Sequence, residues 1–317
     1  MQHGKTSTKC AGVDVGKHAL DAAVVGEAET VRVGRDAAGL EALVAWLMER
    51  GVERVGLEAS GGYERIVVEA LEAAGLAVVL HQPLEVRLFA RLKRRRAKND
   101  RLDAQLIAAA TAQVDAVKAA ADPRLRELAE RLTAYEQISD QLAELRGFME
   151  HVTLKDLAQT LKAQIAALAR LKAKLAGEVL KRIAACEDLA ARHALLKSLP
   201  GIGPIVAACL VVRMPELGQM QRGQAAALLG VAPFDRDSGQ MKGHRFIAGG
   251  RKRPRRLIYL SALAAKRHDP ALKAFAQRLA DNGKPPKLIV VAVMRKLIEA
   301  ANLVLARAKP WTKTAAA

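Results

Sequence analysis

The chain has 317 residues, a net charge of +18, 51% hydrophobic residues and only 3% aromatic residues. This hydrophobic content excludes a disordered basic tail, and the shortage of aromatic rings argues against a platform that stacks bases. The charge is uneven, because residues from Gly239 onward carry 18 Lys and Arg against three acids, a net +15 that leaves +3 for the preceding 238 residues. The basic segment predicts a nucleic acid or an anionic membrane as partner. Its longest apolar run, Leu288 to Met294, is too short to span a membrane, which favours nucleic acid.

Short strands and helices alternate in the first hundred residues. We predict a hairpin from Leu20–Val25 and Thr30–Val33, preceded by a strand that ends in a turn within Ala11–Lys17. A helix from Asp36 then leads to further elements: a strand at Val52–Leu57, a helix at Ile66–Ala74 and a strand at Leu76–Leu80. Hairpin strands followed by alternating helix and strand predict a mixed sheet with helices packed on it.

Four carboxylates occupy chemically suggestive positions in this region. Asp14 lies on the first strand, Glu58 ends the fourth, and Asp100 and Asp103 are spaced to share one helix face. If they gathered at one sheet edge, their mutual repulsion would call for cations. Carboxylate oxygens suit Mg²⁺ or Mn²⁺, and such ions stabilise the attacking and leaving oxygens of a phosphodiester transfer. A basic run precedes the pair and is a candidate nucleic-acid contact: Arg94, Arg95, Arg96 and Lys98.

Each carboxylate also has a plain structural interpretation. Asp100 is a suitable N-cap and Asp103 a first-turn acid that the helix dipole favours. Asp14 could be a turn residue before Gly16, and Glu58 a solvated strand end. These interpretations are separately plausible, whereas a metal site accounts for all four positions at once.

A long helical stretch begins at Asp122. Leucine and isoleucine, with Tyr135, recur at three-and-four spacing from Leu125 to Leu145, and leucine and isoleucine do so again from Leu154 to Leu175. Two such stripes predict either an antiparallel helical hairpin or a dimerising coiled coil.

The remaining chain carries three candidate nucleic-acid features. Gly201 and Gly203 form a Pro-Gly-x-Gly turn between helices, resembling a helix-hairpin-helix whose backbone N–H groups approach a phosphate, although an ordinary tight turn fits as well. Ser238 lies in a loop before Lys242 and Arg245, where a Ser-Gly pair usually marks a turn. A one-sided basic cluster predicts phosphate binding and comprises Arg251, Lys252, Arg253, Arg255 and Arg256.

Taken together, the contexts Gly-Val-Asp14-Val-Gly-Lys, Gly-Leu-Glu58-Ala-Ser-Gly-Gly-Tyr and Lys-Asn-Asp100-Arg-Leu-Asp103-Ala resemble the DEDD insertion-sequence transposases, which include the bridge-RNA-guided recombinases. The resemblance covers nearly the whole chain. It implies a RuvC-like, RNase H-fold domain in which the four carboxylates are catalytic Mg²⁺ or Mn²⁺ ligands. It also implies that Ser238 attacks DNA. The partners implied are double-stranded donor and target DNA, a structured non-coding guide RNA, and further copies in a homodimer or homotetramer, with no membrane.

We therefore predict an α/β plus all-α chain in three parts. Residues 1–120 form the RuvC-like domain, 121–195 the helical hairpin or coiled coil, and 196–317 a basic, mostly helical transposase domain. The predicted function is a cytoplasmic, nucleoid-associated transposase that recombines DNA through a serine–DNA intermediate. Two alternatives remain. A junction-resolvase-like, metal-dependent endonuclease would not need Ser238, and a non-catalytic nucleic-acid-binding protein would need none of the four carboxylates.

Overall fold

The computed structural model describes residues 8–93, 100–115, 122–234 and 245–312. The chain divides into two compact units, Met1–Ala121 and Asp122–Ala317. None of the helices in the described ranges is both long and apolar enough to cross a membrane. The three cysteines are free thiols, of which Cys186 is only partly buried.

A five-stranded mixed sheet forms the centre of the first unit. Its strands are β1 (Cys10–Val15), β2 (Ala19–Val24), β3 (Thr30–Gly34), β4 (Arg54–Glu58) and β5 (Ala77–His81), in the order β3-β2-β1-β4-β5. The first three form an antiparallel meander, while β4 and β5 run parallel to β1. The predicted mixed sheet is thus confirmed.

One face of the sheet carries the main hydrophobic core of this unit. Helices α1 (Ala37–Glu49) and α2 (Arg65–Ala73) bury leucines and valines against the odd-numbered side chains of β1. Asp36 caps α1, because its side chain accepts a hydrogen bond from the Gly39 backbone N–H at 2.8 Å. Burial of this apolar surface anchors the strands.

The other face is covered by helix α4 (Asp100–Thr111), which follows helix α3 (Pro83–Leu92). This helix approaches β1 and β4 so closely that only glycine fits beneath it. A Cβ on Gly12 would lie 2.2 Å from the Ala108 nitrogen, and one on Gly56 would lie 1.8 Å from Thr111 Oγ1. The absence of a side chain at these two glycines therefore lets α4 lie directly on β1 and β4.

The second unit is almost entirely helical. Its elements are α5 (Pro123–Met149), α6 (Lys155–Ala184), α7 (Glu187–Lys197), α8 (Pro204–Arg213), α9 (Gln224–Leu229), β6 (Pro233–Phe234), β7 (Phe246–Ile247), α10 (Lys252–His268), α11 (Pro270–Asp281) and α12 (Pro286–Arg307). Helices α5 and α6 pack on each other as a hairpin. Buried residues at the hairpin base, including Leu132 and Ile183, belong to the same core as α8, α10 and α12.

Candidate active site

Two of the predicted carboxylates emerge side by side at one edge of the sheet. Val13 pairs with Leu57 in the parallel β1–β4 register, so Asp14 and Glu58 are the next residues on neighbouring strands. Neighbouring strands lie about 4.8 Å apart. Gly12 and Gly56 face α4, and each acid lies two residues after one of these glycines. Because side chains alternate between the two faces of a strand, both acids also point to the α4 face. Both are partly buried.

The first turn of α4 lies at the same end of the sheet. Arg54, at the start of β4, donates a hydrogen bond from Nη1 to the carbonyl of Val114 at 2.6 Å, just beyond the end of α4. Helix α4 therefore runs opposite to β4. Its beginning, with Asp103, lies towards the end where β4 finishes at Glu58. Asp100 is the first residue of α4, and its side chain lies outside the described part of the structure.

A third carboxylate, Asp21, completes a row on this face and was not predicted. It pairs directly with Asp14 in the antiparallel β1–β2 register, is only 4% exposed and forms an ion pair with Arg32 at 3.4 Å. On the far side, Glu58 pairs with His81. The short turn between β1 and β2 is the sequence signal that could have identified Asp21. Such a turn fixes the register, so that residues at equal distances from the turn pair with each other.

The His81 end of the row is buried and hydrogen-bonded. Its Nε2 lies 2.9 Å from Thr111 Oγ1 of α4, and its Nδ1 lies 4.0 Å from a Glu85 carboxylate oxygen. Burial holds the pKa of His81 below its ordinary value, although the Glu85 charge acts in the opposite direction. His81 is therefore a neutral hydrogen-bonding group near neutral pH.

The donor chemistry of the acids fits a hard divalent cation, since each offers carboxylate oxygens. Within the described residues, however, no three His, Cys, Asp or Glu side chains are grouped closely enough to hold a metal ion. The Asp100 side chain is not among them. Assembly of all four predicted ligands around metal thus stays a prediction.

The loop that follows Glu58 is held by another acid that sequence reasoning missed. One carboxylate oxygen of Glu64 accepts hydrogen bonds from Ser60 N at 3.1 Å, Ser60 Oγ at 2.9 Å and Gly62 N at 2.8 Å. Burial raises the pKa of Glu64, but backbone and side-chain hydrogen bonds outweigh it and lower the pKa overall. Gly61 and Gly62 have φ values of +78° and +119°, which favour glycine.

Arg35 links the loops that follow β1 and β4. Its Nε donates to the carbonyl of Lys17 at 2.8 Å, and its guanidinium lies 4.9 Å from the centroid of the Tyr63 ring. Glu64 and Arg35 therefore hold both loops beside Asp14 and Glu58.

Several predicted site residues lie outside the described residues. They are the serine Ser238, the loop lysine Lys242 and the basic run Arg94, Arg95, Arg96 and Lys98. Arg245 is exposed.

The described residues on either side of 235–244 are paired with each other. Strands β6 and β7 pair, with Phe234 opposite Phe246. Further back, Arg255 Nη1 donates to the carbonyls of Gly230 at 3.1 Å and Gly249 at 2.8 Å. These contacts hold the chain that ends at Phe234 beside the chain that resumes before Phe246.

The glycine turn before α8 has a structural reason for one of its glycines. Gly201 has φ +74°, and a Cβ there would lie 2.4 Å from the Ser261 carbonyl oxygen in α10. A Cβ on Gly203 would meet no atom within 4 Å. Close packing accounts for Gly201, and a phosphate contact at either glycine stays a prediction.

Most side chains of the basic cluster have partners within the second unit. Lys252 is exposed, while Arg255 bonds the two carbonyls described above. The other arginines meet carboxylates: Arg251 with Glu216 at 2.6 Å, Arg253 with Glu136, and Arg256 with Asp140 at 2.5 Å. Phosphate binding by this cluster stays a prediction, while Arg251 and Arg255 are also bonded within the fold.

Comparison with protein families identifies the class as a transposase. Residues 11–183 match the DEDD transposase model of IS110, and residues 193–277 match the transposase family IS116/IS110/IS902. The first match covers more than half of the chain. The protein belongs to the IS110 family of transposases.

Individual relatives agree with this family. The chain is 29% identical over 130 residues to the pilin gene-inverting protein of Moraxella bovis, which is 40% of each chain. It is 34% identical over 141 residues to the insertion element IS900 uncharacterized 42 kDa protein of Mycobacterium paratuberculosis, covering 40% of this chain and 33% of that protein. These matches span well under half the length of the relatives.

Proposed function

We propose that the protein is a DNA transposase or recombinase that cuts and rejoins strands through a covalent Ser238–DNA intermediate. The observation that carries the proposal is the placement of Asp14 and Glu58 side by side at the sheet end where α4 begins. Membership of the IS110 family supports it. So does its similarity to the pilin gene-inverting protein, since inverting a gene requires DNA recombination.

In this proposal the first unit is an RNase H-like domain and its acids hold a divalent cation. Asp14, Glu58, Asp100 and Asp103 would bind Mg²⁺ or Mn²⁺, which supplies positive charge against a phosphodiester. The chain's own contribution is positioning. Gly12 and Gly56 admit α4 close to the sheet, and Glu64 and Arg35 fix the adjoining loops.

The second unit would supply the nucleophile. The Ser238 oxygen forms a bond to phosphorus and loses its proton, while the bond from phosphorus to one DNA oxygen breaks and that oxygen gains a proton. The resulting ester keeps the phosphate linked, so a new strand end can replace serine without an external energy source. Hydrolysis, as in a simple nuclease, would not conserve this linkage.

The excess positive charge supports binding of both DNA and RNA. The segment from Gly239 onward carries a net +15, which suits a polyanion. We propose double-stranded donor and target DNA as substrates, a structured non-coding RNA as guide, and a homodimer or homotetramer as the active form.

The proposal is tested by a strand-cleavage assay on labelled DNA. The DNA substrate and the guide RNA are both taken from the sequence that flanks the gene. Asp14→Asn and Glu58→Gln are expected to lower cleavage by at least about a hundredfold with little loss of folding, because charge stabilisation of the reaction is removed. Glu41→Gln, an exposed acid on α1, is the matched control and should cleave normally. Cleavage by Asp14→Asn at the wild-type rate would contradict the metal site.

A further inference from the structure

The helical hairpin presents two acids to the beginning of α10. Glu136 and Asp140 lie one turn apart on α5 and therefore share a face. Glu136 meets Arg253, and Asp140 meets Arg256 at 2.5 Å. These pairs join residues that are more than 100 positions apart in the chain.

The two pairs differ in exposure and in number of partners. Glu136 has a side chain only 16% exposed and is also bound by Arg213 at 3.3 Å. Asp140 and Arg256 are 42% and 68% exposed. The inner pair is therefore part of the packed structure, whereas the outer pair is open to competing ions.

We propose that Asp140 occupies Arg256 as an internal substitute for a nucleic-acid phosphate, and that duplex DNA displaces it on binding. The inference rests on the proposed function, since it describes how DNA binding at that surface is regulated. Asp140 thereby lowers the affinity of the unoccupied protein for arbitrary duplexes.

The chemistry of the groups involved favours this role. Carboxylate and phosphate both accept paired hydrogen bonds from a guanidinium, so one can replace the other. An exposed ion pair contributes little stability and is easily broken. A duplex offers many phosphates and gains further from counterion release, so it can outcompete a single carboxylate.

Of the paired arginines at the start of α10, Arg256 is the one that can most easily exchange its carboxylate partner for a phosphate. Arg251 is bonded both to Glu216 and to the Arg213 carbonyl, and Arg255 joins two backbone carbonyls. Releasing those arginines would disturb the fold. Arg256 can leave Asp140 while α10 and α5 stay in place.

The test is a double-mutant cycle on the full-length chain, with a random-sequence labelled duplex as the probe. Asp140→Asn is compared with Glu144→Gln, an exposed acid one turn further along α5 that removes the same charge. Both are measured with and without Arg256→Gln, and thermal unfolding checks that each variant is folded. Asp140→Glu keeps the charge and should bind as wild type.

We expect Asp140→Asn to bind about two- to fivefold more tightly than Glu144→Gln, the range that corresponds to one exposed ion pair. The gain should vanish in the Arg256→Gln background, where the log–log salt slope should also fall by about 0.9. Equal affinity of the two acid variants, or a gain that persists without Arg256, would overturn the inference while leaving DNA binding intact. If no variant, wild type included, binds the duplex, the inference fails, whereas the proposed function is tested separately by the cleavage assay with guide RNA.

Discussion

Asp14 and Asp21 are directly paired residues on the neighbouring antiparallel strands β1 and β2, and both lie on the α4 face of the sheet. Paired residues across such strands have Cβ atoms roughly 5 Å apart. Asp21 is buried and its ion pair with Arg32 offsets part of its charge. The proposed metal ligand Asp14 thus has a second acid directly across the strand pair.

We expect Asp21→Asn to weaken binding of Mn²⁺ by roughly fivefold. A carboxylate about 5 Å from a divalent cation contributes about 2 kcal/mol at the dielectric constant of water. The Arg32 ion pair offsets part of this, which leaves about 1 kcal/mol. Isothermal titration calorimetry on the purified protein measures this affinity directly. Glu41→Gln again serves as the control, and equal affinities of the two variants would show that Asp21 does not act on the site.

The closeness of α4 to the sheet gives a prediction about stability. In Gly56→Ala the new methyl group meets Thr111 Oγ1, which lies 1.8 Å from the Cβ position, and overpacking of this kind costs about 1–3 kcal/mol or more. Gly147→Ala, on α5 with open space around it, should instead be neutral or stabilising by up to about 1 kcal/mol. Urea denaturation followed by circular dichroism compares the two, and the proposed packing is wrong if Gly56→Ala is as stable as wild type.

Buried His81 predicts a pH dependence of folding. Because its folded-state pKa is lowered, the unfolded chain binds the proton more readily, and stability is lost as pH falls below about 6.5. The loss is at most about 1.4 kcal/mol per pH unit. His81 faces Thr111, Glu85 and its strand partner Glu58. Urea midpoints between pH 7.5 and 5.5 should change less in His81→Gln than in wild type, and an unchanged pH slope would refute the assignment.

The strands and the placement of Asp14 and Glu58 could be predicted because they depend on local patterns. Short apolar runs bounded by glycine and acidic turns gave strand positions within two residues of those observed. Parallel neighbours then bring their carboxyl ends to one edge. Asp21 was missed because β2 reads as an apolar strand, and its role depends on the register with β1.

Partners of the arginines could not be predicted, since they depend on tertiary packing. Arg253 and Glu136 are 117 positions apart, and no local pattern specifies which acid a given arginine meets. A cluster of basic residues in the sequence therefore indicates the net charge of a segment. It does not indicate which arginine side chains already form ion pairs with carboxylates of the same chain.

The measurement that tests the central claim most directly is detection of a protein–DNA adduct on Ser238. Active protein is incubated with labelled DNA and its guide RNA, resolved on a denaturing gel, and digested for mass mapping. The account predicts a phosphoserine ester at Ser238, and no adduct or strand exchange from Ser238→Ala although it still binds DNA. An adduct on another residue, or full recombination by Ser238→Ala, would contradict the account, and cleavage without any adduct would favour a hydrolytic nuclease.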